Sequence, residues 1–70
     1  MPYQSNLDLP PSVRNHLPPH GQDIYRAAFN NAYAAHASEA EQEEIAHRIA
    51  WSAVKRVYAK SGTQWAHKGL

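Results

Sequence analysis

The chain has 70 residues, a formal net charge of +1 and no cysteine. That length allows one domain at most, here taken as residues 1–70, and the cysteine count excludes disulfides and thiolate metal sites. The near-neutral charge supplies no global field that would pull the protein onto nucleic acid.

The longest apolar run, Ala32-Tyr33-Ala34-Ala35, falls far short of the roughly 20 residues of a membrane span. The start, MPYQSNLDLPP, lacks the basic and apolar regions of a secretory signal. The expectation is a cytoplasmic protein with no direct membrane insertion. A domain this small buries only about 60% of the surface its unfolded chain exposes. Its seven aromatics (Tyr3, Tyr25, Phe29, Tyr33, Trp51, Tyr58 and Trp65) should therefore carry much of the core.

Residues 1–9 read as extended. Asp8 is placed to cap the first helix, and Pro10 and Pro11 suit a first helical turn, where a missing N–H costs nothing. That short helix is expected over about 10–17, with Val13 and Leu17 at i, i+4. Leu17-Pro18-Pro19 ends it, because a residue before proline is pushed out of the α region. A second helix spans about 20–37. Ile24, Tyr25, Ala28, Phe29, Ala32 and Ala35 share one arc of it. Gly21 weakens its first turn, and its alanines suit close approach of another helix.

The third helix is expected over about 39–60. Ser38-x-x-Glu41 reads as a capping box. Four glutamates (Glu39, Glu41, Glu43, Glu44) open the helix, and Lys55, Arg56 and Lys60 close it, matching the macrodipole at both ends. Its apolar stripe, with Ala46, Ile49, Ala50, Trp51, Ala53, Val54, Val57 and Tyr58, covers more than half the wheel. Ser61-Gly62 is the stop signal. Trp65 should fold back over the helices, with Gln64–Ala66 pairing Pro2–Gln4 in a small antiparallel ribbon. The expected fold is mainly α: three helices with a small two- or three-stranded sheet from the chain termini. Its core is expected to hold Ile24, Tyr25, Phe29, Ile49, Trp51, Val54, Val57, Tyr58 and Trp65.

Five histidines (His16, His20, His36, His47, His67) raise the question of metal binding. Glu44 and His47 lie three apart on one helix face, the spacing found in carboxylate-bridged di-metal bundles. Those sites need a second copy of the motif and two further carboxylates, which this chain lacks. Glu44 and His47 are thus weak metal candidates, and no cofactor is called for. His47 falls inside the apolar arc, one turn from Trp51. It reads as a buried or half-buried neutral imidazole with one ring nitrogen bonded to a neighbour, or alternatively as a ligand or a pH-sensing group. The glutamates do not wrap an ion as a calcium loop does. No phosphate-binding glycine loop and no nucleophile–base set is legible, so an enzyme is not expected. Arg48, Lys55, Arg56 and Lys60 form a basic face suited to a solvated surface, a partner or phosphates.

The ordered set MPY, DLPPSV, LPPH, QDIYRAAFNNAY, AHRIAWSAVKRVYAK and QWAHK resembles the ChaB family. Members are small bacterial proteins named as cation transport regulators. The resemblance covers nearly the whole chain and implies three helices with a small sheet. It also implies a non-catalytic role in regulating a sodium/calcium–proton antiporter, whose cytoplasmic part would be the partner. Some members look similar to DNA-binding proteins, which supports an alternative: a small nucleic-acid-binding module using Arg48, Lys55, Arg56 and Lys60. Enteric members have a longer, more charged connection between the second and third helices. Here His36-Ala37-Ser38-Glu39 is short, so divalent-cation sensing by that loop does not carry over.

Overall fold

The computed structural model describes residues 3–62 and 64–67. A 3-10 turn at Asn6–Asp8 leads into α1 (Pro11–Arg14), α2 (Pro19–Ala35) and α3 (Gln42–Lys55), followed by β1 (Tyr58–Ser61) and β2 (Gln64–His67). The fold is mainly helical with one small sheet, the class the sequence predicts.

α2 and α3 pack along their length. Tyr25 and Phe29, one turn apart on α2, are fully buried, as are Ala46, Ala50 and Val54 on α3. Large rings on one helix thus face small side chains on the other, which lets the two backbones approach closely. Leu9, Val13 and Leu17 close one end of this seam, and none of them was among the expected core residues. Gly21 sits where a Cβ would meet the Leu17 side chain at 3.2 Å, so the glycine that weakens the first turn of α2 also lets it seat on Leu17.

Boundaries differ from the sequence reading for identifiable reasons. α1 is shorter than 10–17 because its last turn tightens ahead of the prolines, with His16 N–H on the Val13 carbonyl. The Gln22 side chain takes the Leu17 and Arg14 carbonyls, at 2.8 and 3.2 Å. Asp8 does not cap α1. Its carboxylate accepts the Ser5 N–H at 3.2 Å and closes the 3-10 turn instead.

The Ser38 capping box does not form either, since α3 starts at Gln42 with Glu41 at its N-cap. Successive turns occupy 36–41, held by a His36–Glu39 side-chain pair and by the Gln42 amide on the Tyr33 carbonyl at 2.6 Å. The connection between the long helices is therefore longer than expected.

The largest difference concerns the sheet. Gln64–His67 pairs with Tyr58–Ser61 as an antiparallel hairpin, not with the N-terminus. α3 accordingly ends at Lys55, its exit marked by i→i−3 bonds from Arg56 to Ala53 and from Val57 to Val54. The N-terminal segment docks on α2 instead. Tyr3 donates its N–H to Asn30 Oδ1, and its carbonyl accepts from Asn30 Nδ2, both at 2.8 Å. A side-chain amide thus supplies the two bonds that a neighbouring strand would have given. Pro2, the other end of the expected pairing, lies outside the described residues.

The hairpin alternates as a two-faced ribbon must. Tyr58, Lys60 and Trp65 share one face, while Ala59 and Ala66 are exposed on the other. Tyr58 is buried against the bundle, and its hydroxyl meets His20 Nδ1 at 3.3 Å. The Trp65 N–H donates to the His16 carbonyl at 3.2 Å and pins β2 beside the end of α1.

Tyr25, Phe29, Val54 and Tyr58 are buried; Ile24, Trp51, Val57 and Trp65 pack half-buried against that cluster. Ile49 departs from the expected core and is 39% exposed.

Gly62 has φ +64°, a left-handed value that suits the two-residue hairpin connection. No atom lies within 4 Å of a Cβ built there, so substitution meets only the conformational penalty. Gly62→Ala should cost about 1 kcal/mol, lowering the thermal midpoint by roughly 4–8 °C for a domain of this size. An unchanged midpoint in a calorimetric or circular-dichroism melt would contradict the turn assignment.

Candidate functional site

A groove of about 540 Å³ opens between α3, the hairpin and the end of α1, lined by Ser12, His16, Arg48, Trp51, Ser52, Lys55, Lys60 and Trp65. Helical spacing explains the α3 contribution: 48, 51/52 and 55 follow i, i+3/4, i+7 along one stripe. Strand alternation and register explain the hairpin's share, since Lys60 stands directly opposite Trp65 on the same face. Ser12 and His16 come from the α1 segment, where the His16 ring bonds the Ser12 carbonyl at 2.6 Å, a contact that places the proton on Nδ1.

The floor is aromatic. Trp51 and Trp65 stack with centroids 5.3 Å apart and planes 29° apart. Tyr25 stands edge-on behind Trp51 at 5.1 Å and 72°. The rim is cationic. Arg48 contacts Glu44 at 3.4 Å, but both side chains are mostly exposed, so the pair contributes little. Lys55 and Lys60 have no carboxylate partner within 4 Å among the described residues. Of the four basic residues singled out from the sequence, Arg48, Lys55 and Lys60 converge here and Arg56 lies outside. Trp51 and Trp65, expected only as core, also form the floor. The stripe of cations flanking Trp51 was readable in the sequence. Ser12 and His16 carried no such signal, because only the hairpin's return brings them in.

Glu44 and His47 do not form a joint site. Glu44 turns out toward Arg48, and His47 turns in, its Nδ1 bonded to the Tyr25 hydroxyl. No group of three or more His, Asp or Glu converges on a point that could hold a metal ion among the described residues. Burial, with Tyr3 acting in the same direction, pushes the Tyr25 hydroxyl well above its ordinary pKa. Burial also lowers the His47 pKa, against a smaller opposing effect of Glu43. Both shifts keep the pair neutral, so Tyr25 O–H donates and His47 Nδ1 accepts.

This arrangement defines a class: a small helical module with a hairpin-flanked, tryptophan-floored basic groove. Residues 9–68 match the ChaB family model. A protein of Escherichia coli K12 named "Putative cation transport regulator ChaB" is 46% identical over 74 aligned positions, covering 97% of each chain, and one of Shigella flexneri matches equally. An NMR solution structure with the same protein name superposes with a TM-score of 0.86 at 44% identity, covering 97% of this chain and 100% of the other. The chain belongs to the ChaB family.

Unfolded, His47 takes up a proton near pH 6.5; folded, it resists until lower pH. In that window unfolding binds a proton, so stability falls as pH falls. The thermal midpoint should therefore drop between about pH 7.5 and 5.5, and His47→Gln, which keeps an acceptor for Tyr25, should flatten that slope. An equal slope in the variant would contradict the neutral Tyr25–His47 pair.

Proposed function

We propose that this protein is a non-catalytic regulator of cation transport that acts in the cytoplasm by binding the cytoplasmic part of a sodium/calcium–proton antiporter. The observation that carries the reading is the groove. It combines two stacked tryptophans and an arginine, residue types enriched where protein interfaces concentrate their binding energy, with two lysines that lack a carboxylate partner among the described residues. The names of the relatives supply the transport context. No described helix is long and apolar enough to cross a membrane.

The same groove favours a second reading, a small nucleic-acid-binding module. Tryptophan faces beside cations make a stacking platform for single-stranded bases. This reading is the weaker of the two. Arg56 lies outside the groove, and exposed Glu41, Glu43 and Glu44 occupy the N-cap and first turn of α3. Binding of this kind would weaken steeply with salt.

Adding the purified chain to inverted vesicles that carry the antiporter should change the rate of cation-driven proton movement. The charge-reversed Lys55→Glu/Lys60→Glu variant, folded by circular dichroism, should change it far less. Antiport unaffected by the intact chain would contradict the regulatory reading. Retention on single-stranded DNA at low salt, lost in the same variant, would favour the second reading.

A further inference from the structure

We propose that the groove's occupant is a short acidic peptide segment bearing an aromatic side chain, which rests its ring on the Trp51–Trp65 pair while its carboxylates meet Arg48, Lys55 and Lys60. The inference rests on the reading above that the groove is where the partner docks, and it specifies the partner's chemistry.

Three features set the occupant. The first is sign. Three cations converge on the rim, and the ion pair that one of them makes, Arg48 with Glu44, is solvent-exposed. A carboxylate arriving here forms charge-assisted bonds without displacing a strong internal partner. The second is shape. The stacked, offset indoles, centroids 5.3 Å apart, give an apolar surface that is half-buried in the chain itself and backed by Tyr25. A planar ring on that floor gains stacking and burial together. A chain of carboxylates alone would leave this floor uncovered.

The third is length. Exposed Glu44 stands one turn before Arg48 on the groove's own stripe, and exposed Glu41 precedes it at the N-cap of α3. A long polyanion laid through the groove would run onto this acidic patch, and like charges set side by side disfavour it. A peptide can place its charge over a few residues and then turn neutral. A nucleic-acid backbone cannot, because it carries a charge at every step. Ser12 and Ser52 add hydroxyls at the rim that can bond the carbonyls and amides of an extended segment.

Both tryptophans lie in the groove, so intrinsic fluorescence reads occupancy directly. The full chain is titrated with the blocked peptide Gly-Asp-Glu-Phe-Asp-Glu-Gly, with its Ala-for-Phe counterpart, and with a single-stranded oligothymidylate. The Phe peptide should bind about tenfold or more tighter than the Ala peptide, a difference of roughly 1.4 kcal/mol. It should weaken with added salt, and Lys55→Gln/Lys60→Gln, folded by circular dichroism, should lose it. Equal affinity of the two peptides, tighter binding of the oligonucleotide, or binding that survives the double substitution would each overturn the proposal. The vesicle assay separates the two levels. Antiport that responds to the chain but ignores Lys55→Gln/Lys60→Gln overturns this occupant and leaves the regulatory reading standing. Peptide binding with the predicted profile, beside antiport that does not respond, upholds the occupant and overturns the antiporter.

Discussion

Burial of the Tyr25 ring between the two long helices is the constraint on which the rest depends. Tyr25 is fully buried and lies against Phe29, His47 and Trp51 at once. A ring of this size contributes through the apolar area it removes from water, but its hydroxyl must find a partner inside. His47 supplies it from α3, and no buried side-chain polar atom lacks a partner among the described residues. The alanines of α3 that face the aromatics of α2 make room for this arrangement. A larger side chain at Ala46 or Ala50 would push the helices apart and strain the Tyr25–His47 bond.

From this pair the structure extends outward in one direction. Tyr25 backs Trp51, Trp51 stacks on Trp65, and Trp65 holds β2 over the end of α1 through its backbone bond to His16. The groove is therefore a continuation of the core to the surface. Its cations have a local origin as well. Lys55 sits in the last turn of α3 and Glu43 and Glu44 in the first, each favoured there by the helix dipole. Charge placed for the helix's own stability becomes a one-sided basic rim once the hairpin brings Lys60 alongside.

Much of this was legible in the residues, and the failures have physical causes. The apolar arc of α2 is strongly periodic, and its Tyr25, Phe29 and Ala32 are buried in the seam, while Ala35 at its end is exposed. The cations on α3 were legible as a face, though not that Arg56 would fall away from it. α3 ends earlier than its periodicity suggests because Val57 and Tyr58 continue the helical period while also being good strand residues. Only the need of Gln64–His67 for a pairing partner decides between the two. Ser38 is a sound cap in isolation, but the Gln42 bond to Tyr33 carries the chain through further turns before α3 begins. The docking of Tyr3 on Asn30 leaves no trace in periodicity, because it is a side-chain substitute for a strand. The resemblance to the ChaB family indicated the helices and a small sheet; which segments pair in that sheet had to come from the structure.

The central claim is that the two tryptophans form the floor of a cationic groove. Collisional quenching of their fluorescence by iodide and by caesium tests it most directly. Relative to N-acetyltryptophanamide in the same buffer, the iodide-to-caesium quenching ratio should be raised at low ionic strength, and the excess should shrink as salt screens the rim and in Lys55→Gln/Lys60→Gln. A ratio equal to or below that of the free compound would contradict the account.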